Sequence, residues 1–370
     1  MQEGAIRKYI KRGKGLPTRV ILPKYANFKS NFPRFITARC KELYELVVPG
    51  GLIGDTILQA APCATSLKSL IIGNGCQITG DTVEQLLELC KPLERAEFYN
   101  VSVAQVRPAQ WNVDLPKLQT LKLVFTKTQR PSSRPLPIVD VEKLIKRIPN
   151  IRNLVLRSIW SLPVGRSGQA PPTPDFSGLN QLETLDINGM IARQAPKFPL
   201  SLCSLDISDI DSPMLDFVPN QFTRLTRLSF ANVRHLNIDA KMMLEANKGQ
   251  LTHLDATGRL SGRELEGLIT LGYLESVEEL KLGMCNFDDD QAIMLAKHAP
   301  NIKILYLEST NITGVGVKEL VIALKGKLEF LNLDECQKCS ADAIQWAIAM
   351  GVKTSFRFPD HRRGGRKLRQ

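Results

Sequence analysis

The chain has 370 residues, 43% of them hydrophobic, and a formal net charge of +12 from 49 Lys and Arg against 37 Asp and Glu. No run reaches the eighteen or more apolar residues of a membrane span, and the charged opening Met1-Gln-Glu-Gly-Ala-Ile-Arg-Lys8 lacks the apolar stretch of a secretory leader. The expectation is a protein without membrane contact, placed in the nucleus or cytoplasm with the nucleus favoured, whose eight cysteines are reduced thiols.

The positive charge sits at the ends. Residues 1–30 hold eight Lys or Arg against one Glu, and residues 353–370 hold seven against one Asp, which leaves the 322 residues between them at −1. Basic ends of this kind bind phosphates by counterion release, act as import signals, or solubilise a chain, so nucleic acid is a possible partner there.

In chain order, residues 1–15 read as a basic helix or cap with Ala5, Ile6, Tyr9 and Ile10 on its apolar side. The run Leu16-Pro-Thr-Arg-Val-Ile-Leu22 is strand-like. From Leu43 an apolar triplet at positions 0, +3 and +5 recurs twelve times, starting at Leu43, Leu67, Leu93, Leu118, Ile151, Leu182, Leu202, Leu225, Leu251, Val277, Ile302 and Leu328, mostly 24 to 26 residues apart. Pro17, Val20 and Leu22 fall in the same register as a degenerate first copy.

Alternating inward residues need a short strand, and the other side of the core needs a returning helix. Helices are expected near 55–62, 81–90, 138–147, 262–272, 289–299, 315–325 and 340–349. Thr79-Gly-Asp-Thr82 and Thr313-Gly-Val-Gly316 supply the hydroxyl and the flexible backbone of a helix start. One such unit cannot bury its apolar face alone, whereas stacked units can. Residues 16–358 therefore read as one elongated α/β solenoid in place of the two or three domains that the length suggests. The pattern resembles the leucine-rich-repeat signature, which implies about 12–13 repeats with parallel strands on a concave face and helices and loops on a convex one.

Two intervals stretch to 33 and 31 residues, and Pro-rich segments fill the excess, so projecting loops are expected at 124–138 and 157–180. The short interval from Leu182 to Leu202 leaves residues 191–200 an extended or one-turn connection. Phe356 and Phe358 look like a last strand, and residues 359–370 read as a disordered tail. In that tail Arg362, Arg363, Arg366, Lys367 and Arg369 are candidates for nuclear import or phosphate binding.

Cys40 and Cys90 each lie three residues before a repeat start, and Cys285 and Cys336 each lie eight after one. The stretch Cys76-Gln-Ile-Thr-Gly-Asp-Thr-Val-Glu-Gln-Leu-Leu-Glu-Leu-Cys90-Lys-Pro-Leu93, whose middle is repeated in Asn311-Ile-Thr-Gly-Val-Gly-Val-Lys-Glu-Leu320, resembles the cysteine-containing repeat of F-box proteins, the substrate receptors of cullin-RING (SCF-type) ubiquitin ligases. With its Pro-rich interruptions and the run from Leu16, the chain is similar to the repeat half of fungal F-box proteins whose leucine-rich repeats follow tetratricopeptide repeats. The resemblance implies a module that selects substrate. An F-box needs about forty residues of three-helix pattern, which the 42 residues before Leu43 do not supply, so Skp1 and cullin are expected partners only through an F-box outside this chain.

Motifs for chemistry are thin. Cys336-Gln-Lys-Cys339 is a lone CxxC whose first member already has a repeat position, and His235, His253, His298 and His361 fall in different repeats or in the tail. Asp288-Asp-Asp290 reads as a helix start, where the dipole favours acids. The expectation is a non-enzymatic module without cofactor or metal.

Side chains at +2, +4 and +6 point away from the core, so the repeat register spells out a binding face. Asp186, Asp206 and Asp255 form an acidic column at +4, interrupted by Ser229 and continued towards Glu279, Glu308 and Asp334, which suits a protein substrate with a basic segment. Tyr306 and Phe330, beside Ile304, have the composition of an interface anchor, and Lys281 and Asn332 complete the candidate face.

Overall fold

The repeat triplets dictate the architecture. Every residue at 0, +3 and +5 of the twelve copies is buried, none more than 6% exposed. The computed structural model describes residues 3–13, 17–23, 32–50, 54–63, 65–102, 114–125, 141–158, 174–190, 196–210, 223–232, 244–258 and 260–357. The basic tail and most of both Pro-rich segments lie outside them. Two units are distinguished, residues 1–202 with 210–216, and residues 203–209 with 217–370.

The first unit contains α1 (Glu3–Arg12), β1 (Arg19–Ile21), α2 (Phe32–Arg39), β2 (Glu45–Gly50), a 3₁₀ helix (Gly54–Cys63), β3 (Ser69–Gly75), β4 (Ile78–Thr79), α3 (Gly80–Leu89), β5 (Arg95–Ser102), β6 (Thr120–Phe125), α4 (Val141–Arg147), β7 (Asn153–Arg157) and β8 (Thr184–Asp186). The strands are parallel, and each +3 residue faces the +3 residue of the next copy: Val20, Leu46, Leu70, Ala96, Leu121, Leu154 and Leu185. The degenerate first copy is therefore a real strand, and the Leu22 N–H donates to the Val47 carbonyl at 2.9 Å. Its return is α2, a helix that the sequence pattern does not announce. Phe32 and Ile36 of α2 are fully buried, and the Arg7 guanidinium of α1 lies over the rings of Phe32 and Phe35 at 5.1 and 4.5 Å.

The second unit contains β9 (Ser204–Asp206), β10 (Arg227–Ser229), β11 (His253–Asp255), α5 (Gly262–Thr270), β12 (Glu279–Lys281), α6 (Asp289–His298), β13 (Ile304–Tyr306), α7 (Gly314–Ala323), β14 (Phe330–Asn332), α8 (Ala341–Ala349) and β15 (Lys353–Ser355). Its strands are parallel in sequence order and pair without a register shift, whereas in the first unit the register slips past Val48 between β2 and β3 and past Tyr99 between β5 and β6. The last strand lies three residues before the expected Phe356. Register decides this, because Thr354 faces Leu331 and puts Phe356 in the +5 column.

The second unit's strands are only three residues long, yet the ladder between copies runs further. The +5 N–H of one copy donates to the +4 carbonyl of the next, as Leu282 does to Tyr306 at 2.9 Å and Leu307 to Asn332 at 2.9 Å. The +7 N–H then donates to the next +6 carbonyl, as Met284 does to Glu308 and Ser309 to Asp334, both at 2.8 Å. To aim that N–H the +7 residue turns left-handed: Asn100, Ser158, Gly189, Asp209, Asn232, Gly258, Met284, Ser309 and Glu335 all have φ between 55° and 80°.

Cysteine thiols extend the same ladder in the core. Cys76, Cys285 and Cys336 each direct Sγ at the +5 carbonyl of the preceding copy, those of Val48, Ala256 and Leu307, at 3.7, 3.2 and 3.0 Å. Burial pushes the thiols of Cys76, Cys90 and Cys339 up to about 11 and that of Cys336 in the same direction. Cys336 and Cys339 are both buried free thiols, and no group of three or more His, Cys, Asp or Glu suited to a metal ion occurs among the described residues.

Candidate functional site

Where the copies pair in register, +2, +4 and +6 side chains line up across the strand face turned away from the core, but their neighbours decide which remain available. Asp186, in the first unit, is 7% exposed. Its Oδ2 accepts from Arg157 Nε at 2.7 Å and its Oδ1 from the Asn188 N–H at 3.1 Å. Asp206 and Asp255, in the second unit, make the same local turn, accepting from the N–H groups of Ser208 at 2.9 Å and Thr257 at 3.2 Å. Asn332 does likewise for Asp334 at 2.9 Å. An Asp or Asn at +4 therefore closes the strand exit as an Asx turn, a role independent of any partner.

Glu279 and Asp255 are further engaged by Lys281, whose Nζ lies 3.5 Å from Glu279 Oε1 and 3.7 Å from Asp255 Oδ2. His253 adds Nε2 at 3.4 Å from Glu279 Oε2, and its Nδ1 lies 2.8 Å from the Thr252 hydroxyl. Burial, with the Arg227 charge, pushes the His253 imidazole below its ordinary pKa despite Glu279, so this contact is a neutral one at pH 7. The expected acidic column is thus largely compensated internally as far as Glu279.

Beyond it the face changes character. Lys281 Nζ sits 5.3 Å from the centroid of the Tyr306 ring, and the Tyr306 and Phe330 rings pack 5.5 Å apart at 56°. Ile304 adjoins Phe330 in register. All three are half-buried on a face where the core makes no use of them. Past the aromatics, Glu308 accepts from Asn332 Nδ2 at a long 3.5 Å, Asp334 from the Ser355 hydroxyl at 2.9 Å, and Glu335 from the Ser309 hydroxyl at 2.8 Å. Among the described residues the nearest cation to these three acids is Arg357, 4.0 Å from Asp334. Glu279, Lys281, Tyr306, Glu308, Phe330, Asn332 and Asp334 are therefore brought together. Asp206 and Asp255 lie further along the same unit, and Asp186 belongs to the other.

A second cluster, in the first unit, is not among the residues singled out from the sequence. Glu97 is 3% exposed at a +4 position. Its Oε1 accepts from Arg95 Nε at 2.8 Å and lies 3.3 Å from Lys122 Nζ, while its Oε2 accepts from the Tyr99 hydroxyl at 2.8 Å. Burial pushes the Glu97 carboxyl up, but the hydrogen bonds from Tyr99 and Arg95 and the charges of Lys122 and Arg95 outweigh it and hold the carboxyl below its ordinary value. Burial and the bond to Glu97 push the Tyr99 phenol up to about 12. The signal was legible by writing out +2, +4 and +6 for the copies at Leu93, Leu118 and Ile151, where Arg95, Glu97, Tyr99, Lys122 and Arg157 stand side by side.

An apolar triplet in every copy and parallel strands that set the +3 residue of one copy against the +3 residue of the next define the leucine-rich-repeat fold. A solved structure agrees. The mouse RP105/MD-1 complex contains a chain that superposes with a TM-score of 0.50 at 14% identity, over 91% of this chain and 64% of that one. An internalin (inlF) of Listeria monocytogenes is similar at a TM-score of 0.42 and 12% identity over 89% of this chain and 93% of its own, and a chain of the TLR13–ssRNA13 complex at 0.38 and 14% over 83% and 52%. No protein-family model matches the sequence, and no curated protein is similar enough to match it.

Proposed function

We propose that the chain is a non-enzymatic recognition module that holds a protein segment on the strand face of its last repeats, and that it serves as the substrate-holding part of a cullin-RING ubiquitin ligase receptor whose F-box is supplied by sequence elsewhere. The observation that carries the binding reading is the Tyr306–Phe330 pair on the strand face, with Lys281 over one ring. Aromatics placed outside the core are costly to expose, and they supply most of the energy of protein interfaces. Glu308 and Asp334 at their margin suit a basic segment, whose cations would meet carboxylates that Asp186 and Asp255 no longer offer. The ligase assignment rests on the resemblance of the Cys76–Leu93 stretch to F-box repeats and supports a nuclear or cytoplasmic place for the chain.

The test is capture of a partner by the purified chain, followed by variants. Tyr306→Ala with Phe330→Ala should abolish capture, Glu308→Gln with Asp334→Asn should weaken it, and Asp206→Asn should leave it unchanged. Retention of the partner by the double aromatic variant would remove the site. Purified Skp1 should form no complex with this chain; a complex would mean that the adaptor site lies within it. Exposed Lys8, Lys11 and Arg12 on α1 favour a second reading, direct nucleic-acid binding through the basic ends. Salt-titrated RNA and DNA binding, compared with a chain lacking residues 359–370, separates the two: strong salt dependence lost on truncation supports the second.

A further inference from the structure

The charge of the molecule is unevenly divided between its units. The first holds 28 Lys and Arg against 17 Asp and Glu, the second 21 against 20. Part of the first unit's excess lies on its strand face, in the cluster around Glu97. The layering there is specific: the carboxylates of Glu97 and Asp186 are 4% and 11% exposed, while the side chains of Arg95, Lys122 and Arg157 are 49%, 25% and 44% exposed. Buried acids thus lie beneath and orient three cations on β5, β6 and β7, whose outer sides reach solvent. The cluster carries three positive charges against two negative, so it presents a net positive surface made of pre-positioned guanidinium and ammonium groups.

The same +4 column continues as an apolar strip. Glu97 is in register with Ile71, Ile71 with Val47, and Val47 with Ile21, which is 56% exposed. An anion-binding cluster and an apolar strip therefore share one line across consecutive strands. We propose that this face of the first unit binds an extended acidic protein segment, with its carboxylate or phosphate groups on Arg95, Lys122 and Arg157 and adjoining apolar side chains on Ile71, Val47 and Ile21. From β1 to β7 the line crosses five strand spacings of about 4.8 Å, roughly 24 Å, the span of about seven extended residues. A nucleic-acid strand fits less well: the cluster's net charge suits one or two anionic groups, and the Tyr99 hydroxyl is tied to Glu97 beside an aliphatic strip that offers bases no stacking surface. The proposal is independent of the Tyr306–Phe330 site.

Fluorescence anisotropy on the full chain tests it, using a nine-residue peptide with two Glu followed by Leu residues, its phosphoserine version, its Gln version and a twelve-nucleotide oligouridine. The Glu or the phosphoserine peptide should bind, and whichever binds tighter identifies the anion. The Gln peptide should be about tenfold weaker. Lys122→Gln should weaken binding several-fold, and Arg157→Gln combined with Asp186→Asn, which leaves no buried charge unpaired, should do the same with an unchanged melting temperature. Ile71→Ser should weaken the bound anionic peptide several-fold, and Tyr306→Ala with Phe330→Ala should have no effect. Equal binding of the Gln peptide, binding of neither anionic peptide, or oligouridine binding more tightly and losing affinity in the same variants would each overturn the proposal.

Discussion

Glu97 is a carboxylate kept ionised in a nearly dry place because Arg95, Lys122 and Tyr99 surround it. Its folded pKa lies below the unfolded value, so its contribution to stability is present above the unfolded pKa of about 4.3 and is lost as pH falls through the folded one. Glu97→Gln should therefore lower stability at pH 7 by about 2 kcal/mol. The gap to the unsubstituted chain should persist at pH 5 and narrow as pH falls below the unfolded pKa of about 4.3, which urea midpoints measured at pH 7, 5 and 3.5 will show. A pH-independent gap would assign the effect to packing. The acids at +4 behave differently. Asp255 accepts the Thr257 N–H and, at 2.7 Å, the Thr257 hydroxyl, so its main contribution is an oxygen acceptor, the partly exposed 3.7 Å pair with Lys281 adding little. Asp255→Asn should leave the denaturation midpoint almost unchanged, whereas Asp255→Ala should cost about 1 kcal/mol. The two substitutions having equal effects would contradict the turn role. The column of acids was legible from the repeat period; its occupation was not, because Asp186 meets Arg157 from 29 residues away and Lys281 reaches back to Asp255 on the neighbouring strand.

At the level of the element, five helix starts are capped by a side chain, and two of these are secured twice. Thr79, Ser261, Asp288, Thr313 and Ser340 cap their own helices, with full capping boxes at Ser261–Glu264 and Asp288–Gln291. At α3 and α7 an acid from the preceding return also reaches across. Asp289 of α6 accepts from the Thr313 and Gly316 N–H groups at 2.8 and 3.1 Å and from the Thr313 hydroxyl at 2.6 Å, and Asp55 does the same for Thr79 at the start of α3. A Cβ on Gly316 would stand 2.5 Å from Asp289 Oδ1, so this glycine is needed for the approach. Asp289→Ala strips three bonds from the start of α7 and should cost about 2 kcal/mol, more than Asp290→Ala, as thermal melts would show. Helix positions were readable because caps and 3.6-residue spacing are local. Two features were not. α2 follows a copy whose triplet is degenerate, with Pro17 in its first position, and is not among the expected helices, while the left-handed +7 position accepts Asn, Ser, Asp, Gly, Met and Glu alike, so no residue type marks it.

For the whole molecule, the hydrogen bonds that join copies run from each strand to the next, as Thr252 and His253 do to Thr226, and Glu278 and Glu279 to Thr252. Cooperativity must then pass from neighbour to neighbour, since among the described residues these bonds reach only the adjacent copy, and stability is a sum of repeat and interface terms. The triplet period makes this arrangement legible in the sequence. The charge division between units does not emerge from counting the two ends, because an excess of bases before residue 203 and of acids after it cancel in the middle of the chain. Local stability should therefore be separable along the molecule. Leu305 is wholly buried at the +3 position of β13, between Leu280 and Leu331. Leu305→Ala removes that contact and should cost about 2–5 kcal/mol locally. Hydrogen exchange read by mass spectrometry should then accelerate in β12, β13, β14 and α7 while β2 and β3 keep their protection. Uniform acceleration from β2 to β14 would show that the copies unfold as one cooperative body, and the nearest-neighbour account would fail.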